Sequence, residues 1–67
     1  MNDYDKAIAS YQEAVANNPY GQTAWVNLIS TYLLSGEKAE AADSAKTALE
    51  KIPNSDEIEK LLEKASE

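Results

Sequence analysis

The sequence contains no cysteine and no histidine. Their absence excludes disulfide bonds, zinc sites built from thiolates or imidazoles, and nucleophilic catalysis by a Cys/His or Ser/His pair. With only two glycines, the chain has no glycine-rich loop for a phosphate group. The remaining candidates for acid–base chemistry are two carboxylate pairs, Asp3 with Asp5 and Glu57 with Glu59. Side chains two residues apart on a helix point in different directions, so neither pair faces a single substrate. From these absences together we predict no catalytic residue, no metal site, no cofactor and no enzyme activity.

Basic residues are scarce: six Lys and Arg stand against twelve Asp and Glu, a net charge of −6. Phosphate backbones and anionic lipids repel such a chain, so we expect neither nucleic acid nor a membrane as a partner. No charged residue lies between Ala14 and Ser35, but Pro19, Gly21 and several amides make this stretch unsuited to crossing a membrane. Since no signal segment opens the chain, we expect a cytoplasmic protein.

Helix formers and helix breakers divide the chain into four segments. We predict helices over about 5–18, 22–35, 38–52 and 55–66. Pro19 and Pro53 end the first and third, and Gly36 is expected to end the second in the left-handed conformation. Asn54, followed by Glu57, predicts an N-cap for the fourth helix. No stretch alternates like a strand, and the connections are short. The prediction is therefore an all-α fold of antiparallel helices.

Apolar residues recur at helical spacing in every segment. The predicted core consists of Ala7, Ile8, Tyr11, Ala14, Val15, Trp25, Leu28, Ile29, Tyr32, Ala41, Ala42, Ala45, Ala48, Leu49, Ile52, Ile58, Leu61, Leu62 and Ala65.

The chain repeats part of its own pattern. The shift that superposes Ala7 on Ala41 also superposes Ala14 on Ala48 and Pro19 on Pro53. The complete unit resembles the tetratricopeptide repeat, a helix–turn–helix of about 34 residues. The matching positions are Trp25, Leu28 and Tyr32 on its first helix, and Ala41, Ala48 and Pro53 on its second. The resemblance implies a single domain over 1–67: the second helix of a repeat in 1–19, a full repeat in 20–53 and a capping helix in 54–67.

Two positions depart from the family pattern. Ile29 occupies a slot on the first helix that is normally glycine, and Ala45 occupies the large aromatic slot on the second. We interpret the two departures together, because a large residue facing a small one keeps the core volume roughly constant.

The resemblance implies a non-catalytic module that binds a protein or peptide on the concave face lined by first helices. On the second predicted helix, the side opposite the core carries no charge. The predicted partner-binding residues on that side are Thr23, Val26, Asn27, Ser30 and Leu33. The alternative is that neighbouring helices cover this side, which would leave it without a function.

Repeats that hold the tails of heat-shock chaperones carry an Asn at the position of Asn27 and basic residues on the next first helix. The corresponding positions here are Glu57 and Leu61, so we predict that chaperone tails are not bound.

A further alternative is a structural or engineered repeat fragment whose main property is folding and self-association as a homo-oligomer. The first helix lacks a preceding repeat partner over Ala7, Tyr11 and Ala14, and a second copy could cover this side or the uncharged side of the second helix. The last helix folding back over the first is the competing solution.

Overall fold

The structure is a computed structural model that describes residues 3–67, and it is built entirely from helices and the turns between them. The four helices are α1 (Asp3–Asn17), α2 (Gln22–Leu34), α3 (Lys38–Lys51) and α4 (Asp56–Ala65). They confirm the predicted all-α repeat fold, and residues 3–67 contain no strand. The predicted starts of α2 and α3 match the observed ones, and the other ends differ by one or two residues, as is usual where terminal turns fray.

The end of α2 confirms the role expected for Gly36, whose φ angle is +84°. The backbone N–H of Gly36 donates to the carbonyl oxygen of Leu33 at 3.2 Å, and that of Glu37 donates to Tyr32 at 2.8 Å. This pair of bonds is the Schellman motif, which satisfies carbonyl groups that the end of a helix leaves open. A residue with a side chain would be strained at Gly36, so the glycine sets where α2 stops.

The predicted cap of α4 is wrong by one residue. Ser55, not Asn54, is the N-cap, and its Oγ accepts a hydrogen bond from the backbone N–H of Ile58 at 3.3 Å. Asn54 lies exposed in the turn after Pro53. The difference arises because Ser55 is buried against α2, where its hydroxyl also donates to the Gln22 side chain at 2.7 Å. A tertiary contact therefore selects between two residues that both have capping side chains.

Helix α2 occupies the centre of the molecule and packs against α1, α3 and α4, while α4 also packs against α3. The Cα atoms extend 35 × 29 × 14 Å. The smallest dimension corresponds to two helices in thickness, because packed helix axes lie about 8–10 Å apart. Helices α2 and α4 are parallel: the side chain of Gln22 meets Ser55 and Glu57 near their starts, and further along Leu33 lines a groove together with Leu61.

The core lies mainly where the large side chains of α2 meet the small ones of α3. Ile29 and Ala45 are both fully buried in one cluster, which agrees with the exchange of large for small inferred from the sequence. Every residue of the predicted core is buried or half-buried. Trp25 is only 7% exposed, and its indole N–H donates to the carbonyl oxygen of Pro19 at 2.7 Å.

The assignment of the α4 cap predicts different effects of two neighbouring substitutions. Ser55→Ala should lower the free energy of unfolding by about 1–2 kcal/mol, because it removes both the cap and the bond to α2. Asn54→Ala should change it by less than about 0.5 kcal/mol, as is usual for an exposed position. Urea unfolding followed by circular dichroism measures both values, and a larger loss for Asn54→Ala than for Ser55→Ala would refute the assignment.

Candidate partner-binding surface

The residues predicted to bind a partner lie along one side of α2, but the structure divides them between two grooves. Thr23 and Asn27 line a groove between α1 and α2, which we call the α1–α2 groove. Ser30 and Leu33 line a second one between α2 and α4, the α2–α4 groove. Val26 is half-buried and packs against the core. The sequence predicted one continuous surface along α2. The structure instead has two separate grooves beside this helix, and Val26 lines neither of them.

The α1–α2 groove has a volume of about 410 Å³. Its lining residues carry no charge and are Tyr11, Ala14, Asn18, Gly21, Thr23, Ala24 and Asn27. Tyr11 is only half-buried, because α4 packs against α2 and α3 and does not fold back over α1. Tyr4, 38% exposed, lies on the same side of α1, since it precedes Tyr11 by two helical turns.

The α2–α4 groove, of about 290 Å³, is lined by Ser30, Leu33, Leu34, Leu61 and Lys64. Leu34 is 69% exposed, an unusual exposure for a large aliphatic side chain beside other leucines. Lys64 is the one charged residue of this lining, so the groove is neutral only on the α2 side. Its long aliphatic stem extends the apolar wall while the ammonium group stays in water.

A hydrogen-bonded bridge joins the starts of α2 and α4, the two helices that line the α2–α4 groove. Besides accepting from Ser55, the amide of Gln22 donates through Nε2 to Oε1 of Glu57 at 3.3 Å. Glu57 and Leu61 stand where chaperone-binding repeats would have basic residues, and the Glu57 carboxylate is directed to the Gln22 amide. Neither position supplies a positive charge.

A third depression lies between α1 and α3 and has a volume of about 270 Å³. Its floor includes Leu28 and Tyr32, which are almost fully buried. Gln12 crosses from α1 and donates to the Tyr32 hydroxyl at 2.9 Å. The depression is a seam in which side chains of the core are already hydrogen-bonded, and it offers less apolar surface than the other two.

Several groove residues were not among those predicted from the sequence. Tyr11 and Ala14 come from α1, Asn18 directly follows it, and Leu61 and Lys64 come from α4. The repeat itself contains the information that would have found the α4 residues. The shift of one repeat places Lys64 on Ser30 and Leu61 on Asn27, and equivalent positions of parallel neighbouring helices lie side by side.

Within residues 3–67, no group of three or more carboxylates is arranged to hold a metal ion. None of the helices in this range is both long and apolar enough to cross a membrane. Every buried side-chain nitrogen and oxygen of the described residues has a hydrogen-bond partner.

The bridge at the start of α4 predicts a local effect on the α2–α4 groove. Gln22→Ala should destabilise the chain by about 1 kcal/mol and speed amide exchange in α4 more than in α1, because the Ser55 hydroxyl loses its acceptor. Thr23→Ala, one residue further along the same helix, is the control and should leave α4 unchanged. Hydrogen–deuterium exchange resolved by residue makes the comparison, and equal acceleration in α1 and α4 would contradict it.

Comparison with known proteins connects this arrangement to a family. A family model described as tetratricopeptide repeat matches residues 1–56, a range that includes α1, α2 and α3. No curated protein and no solved structure matches the chain significantly. Tetratricopeptide repeats generally mediate protein–protein interaction and are typically non-catalytic. Because the match covers most of the sequence and the helices agree with it, the chain belongs to the tetratricopeptide repeat family.

Proposed function

We propose that this chain is a non-catalytic interaction module that binds a peptide or a partner helix along the uncharged side of α2. One observation carries the proposal: in a chain of net charge −6, the side of α2 that stays accessible between its neighbours has no charged residue. The residues proposed to contact the partner are Thr23, Val26, Asn27, Ser30 and Leu33. Thr23 and Asn27 border one open groove and Ser30 and Leu33 border the other, so a ligand lying along α2 can place side chains on both sides of it.

The chemistry of the grooves indicates what kind of ligand fits. Leu33, Leu34 and Leu61 offer apolar surface, and burying such surface is the main source of affinity for a short peptide. The polar groups of Ser30 and Asn27 supply hydrogen bonds without the desolvation cost of a buried charge. Because the protein as a whole is acidic, it attracts ligands with basic flanks, repels acidic ones and is indifferent to neutral ones. We therefore propose an apolar peptide of neutral or positive charge as the ligand.

In this proposal, 1–67 is one domain in which 1–19 provides the second helix of a repeat, 20–53 a full repeat and 54–67 a cap. The role of α4 as a cap rests on its two faces. Ile58 and Ala65 are buried, while Glu59, Lys60 and Glu63 are exposed. An amphipathic helix of this kind covers apolar surface on one side and presents charge to water on the other.

A second candidate function is folding and self-association, in which the chain is a structural or engineered repeat unit. The observation that favours it is the half-exposed Tyr11 beside an open, uncharged groove. An aromatic side chain loses about 1.5–3 kcal/mol of burial free energy when it stays in water, which is a large amount for a small domain.

The peptide proposal can be tested although the ligand is unidentified. A random library of short peptides is selected for binding to the immobilised chain, and the binders are resynthesised and titrated into isotope-labelled protein. Amide shifts should cluster on Thr23, Asn27, Ser30 and their neighbours. Shifts that map to the exposed face of α4 around Glu59 and Glu63 would contradict the proposal.

A matched pair of variants supplies the second prediction of this section. Ser30→Glu places a carboxylate inside the apolar α2–α4 groove, where an apolar peptide side chain would strip it of water, and it should weaken peptide binding about tenfold or more, equivalent to about 1.4 kcal/mol. Ser10→Glu introduces the same side chain at an exposed position of α1 outside both grooves and should bind as the unmodified chain does. Isothermal titration calorimetry measures both, and equal losses would mean that net charge, not the groove, controls affinity.

A further inference from the structure

We propose that the α1–α2 groove receives helix α1 of a second copy of this chain. The two copies are related by a twofold axis, and Tyr11 of each lies opposite Ala14 of the other. The inference rests on the proposed interaction function, because Thr23 and Asn27 of the partner-binding side line this groove. It names a second copy as the partner that occupies the α1 side of α2 in the dimer, where it competes with the peptide for Thr23 and Asn27, and it leaves the α2–α4 groove open to the peptide.

The chain itself contains a filled equivalent of this groove. The shift of one repeat places six of the seven lining residues, Tyr11, Ala14, Asn18, Gly21, Ala24 and Asn27, on Ala45, Ala48, Ile52, Ser55, Ile58 and Leu61, respectively, and the seventh, Thr23, on exposed Glu57. The second set lies at the junction of α3 and α4, where α2 packs against both helices and each of the six is buried or half-buried. The α1–α2 groove is therefore the repeat-related copy of a site that accommodates a helix.

The filled site indicates what the occupant of the open one must look like. Helix α2 runs antiparallel to α3, so the occupant runs antiparallel to α1. Fully buried Ile29 of α2 belongs to the same cluster as fully buried Ala45, whereas the open groove has Tyr11 in place of that alanine. Since core volume is conserved at such contacts, the occupant needs a small residue opposite Tyr11. It must also be uncharged, because the groove offers no counter-charge.

Helix α1 meets these three requirements. One side of it carries Tyr4, Ala7, Tyr11, Ala14 and Asn18, spaced three or four residues apart and free of charge. A twofold axis makes the two α1 helices antiparallel. Placing the axis between Tyr11 and Ala14 sets each tyrosine ring against an alanine and Ala7 near Asn18 of the other copy. Large and small residues alternate along this side, so the surface is complementary to itself.

Charge distinguishes α1 from α4 as the occupant. A helix that filled the α1–α2 groove as α2 fills the site at α3 and α4 would place the residues equivalent to Trp25 and Ile29 against α1. In α4 the equivalents, one repeat later, are Glu59 and Glu63, which the uncharged groove does not accommodate. Two copies also repel through a net charge of −6 each, and the α1 side keeps the contact itself free of charge.

The test is the solution mass of the chain by sedimentation equilibrium from ten to several hundred micromolar. The chain should approach the dimer mass at the upper end. Ala14→Glu and Tyr11→Glu should each weaken dimerisation at least about tenfold, because each buries a charge in the contact. The matched control is Ala9→Glu, the same substitution on an exposed side of the same helix, which should dimerise like the unmodified chain. Circular dichroism melts confirm that each variant is folded.

A second measurement uses the unmodified chain, so it does not depend on any variant folding. In a mixture of isotope-labelled and unlabelled copies, an intermolecular nuclear Overhauser effect should join the Tyr11 ring to the Ala14 methyl group. A mass that stays monomeric at several hundred micromolar overturns the proposal, and so does equal weakening by Ala9→Glu. A dimer that survives Ala14→Glu but dissociates with Leu34→Glu means that the copies meet at the α2–α4 groove, which also overturns it.

The two proposals fail separately. Peptide affinity is measured on the unmodified chain, below the concentration at which it dimerises: binding that depends on Ser30 supports the peptide function whatever the fate of the dimer. Loss of all peptide binding in a chain that still forms the Tyr11–Ala14 dimer removes the peptide function and leaves the dimer in place.

Discussion

The contact between the large residues of α2 and the alanines of α3 is the interaction on which the rest of the molecule depends. Ala41, Ala45 and Ala48 are fully buried and let the two helices approach closely, so that Ile29 is enclosed. Trp25 and Tyr32, buried on the same helix, also make the polar links to the preceding part of the chain. The Trp25 indole donates to Pro19, and the Tyr32 hydroxyl accepts from Gln12. One set of side chains therefore packs the full repeat and positions α1 on it.

The central position of α2 explains why it has no charge. Three helices pack against it, and a charged side chain at most of its positions would have lost its water without gaining a partner. An uncharged polar side chain can be buried on α2 if it finds a partner: the hydroxyl of buried Thr31 donates to the carbonyl oxygen of Asn27 at 2.7 Å. The same constraint leaves the accessible strip of α2 uncharged, and this strip is the part proposed to bind a partner. The packing of α2 against three helices and its proposed binding of a partner therefore both favour a helix without charged residues.

Helix α4 connects stability to the proposed function. It forms one wall of the α2–α4 groove, and its start is held by the bridge through Ser55 and Gln22. Its exposed face carries Glu59 and Glu63, and its buried face carries Ile58 and Ala65. A chain this short buries little apolar surface, so a few hydrogen bonds are a substantial part of what keeps this helix in place. The α2–α4 groove therefore depends on the docking of α4.

Local chemistry and periodicity determined the helices, the stop at Gly36, the burial of Trp25 and the repeat register, because each follows from neighbouring residues and from the repeat period of the chain itself. The uncharged side of α2 was visible in the same way. Only tertiary structure decided that Ser55 instead of Asn54 caps α4, because the choice rests on a hydroxyl bonded to Gln22, 33 positions away. It also divided the predicted surface between two grooves and placed Tyr11 of α1 beside Thr23 and Asn27. Which side chains share a groove depends on how helices distant in sequence lie against α2, and periodicity within one helix carries no information about that.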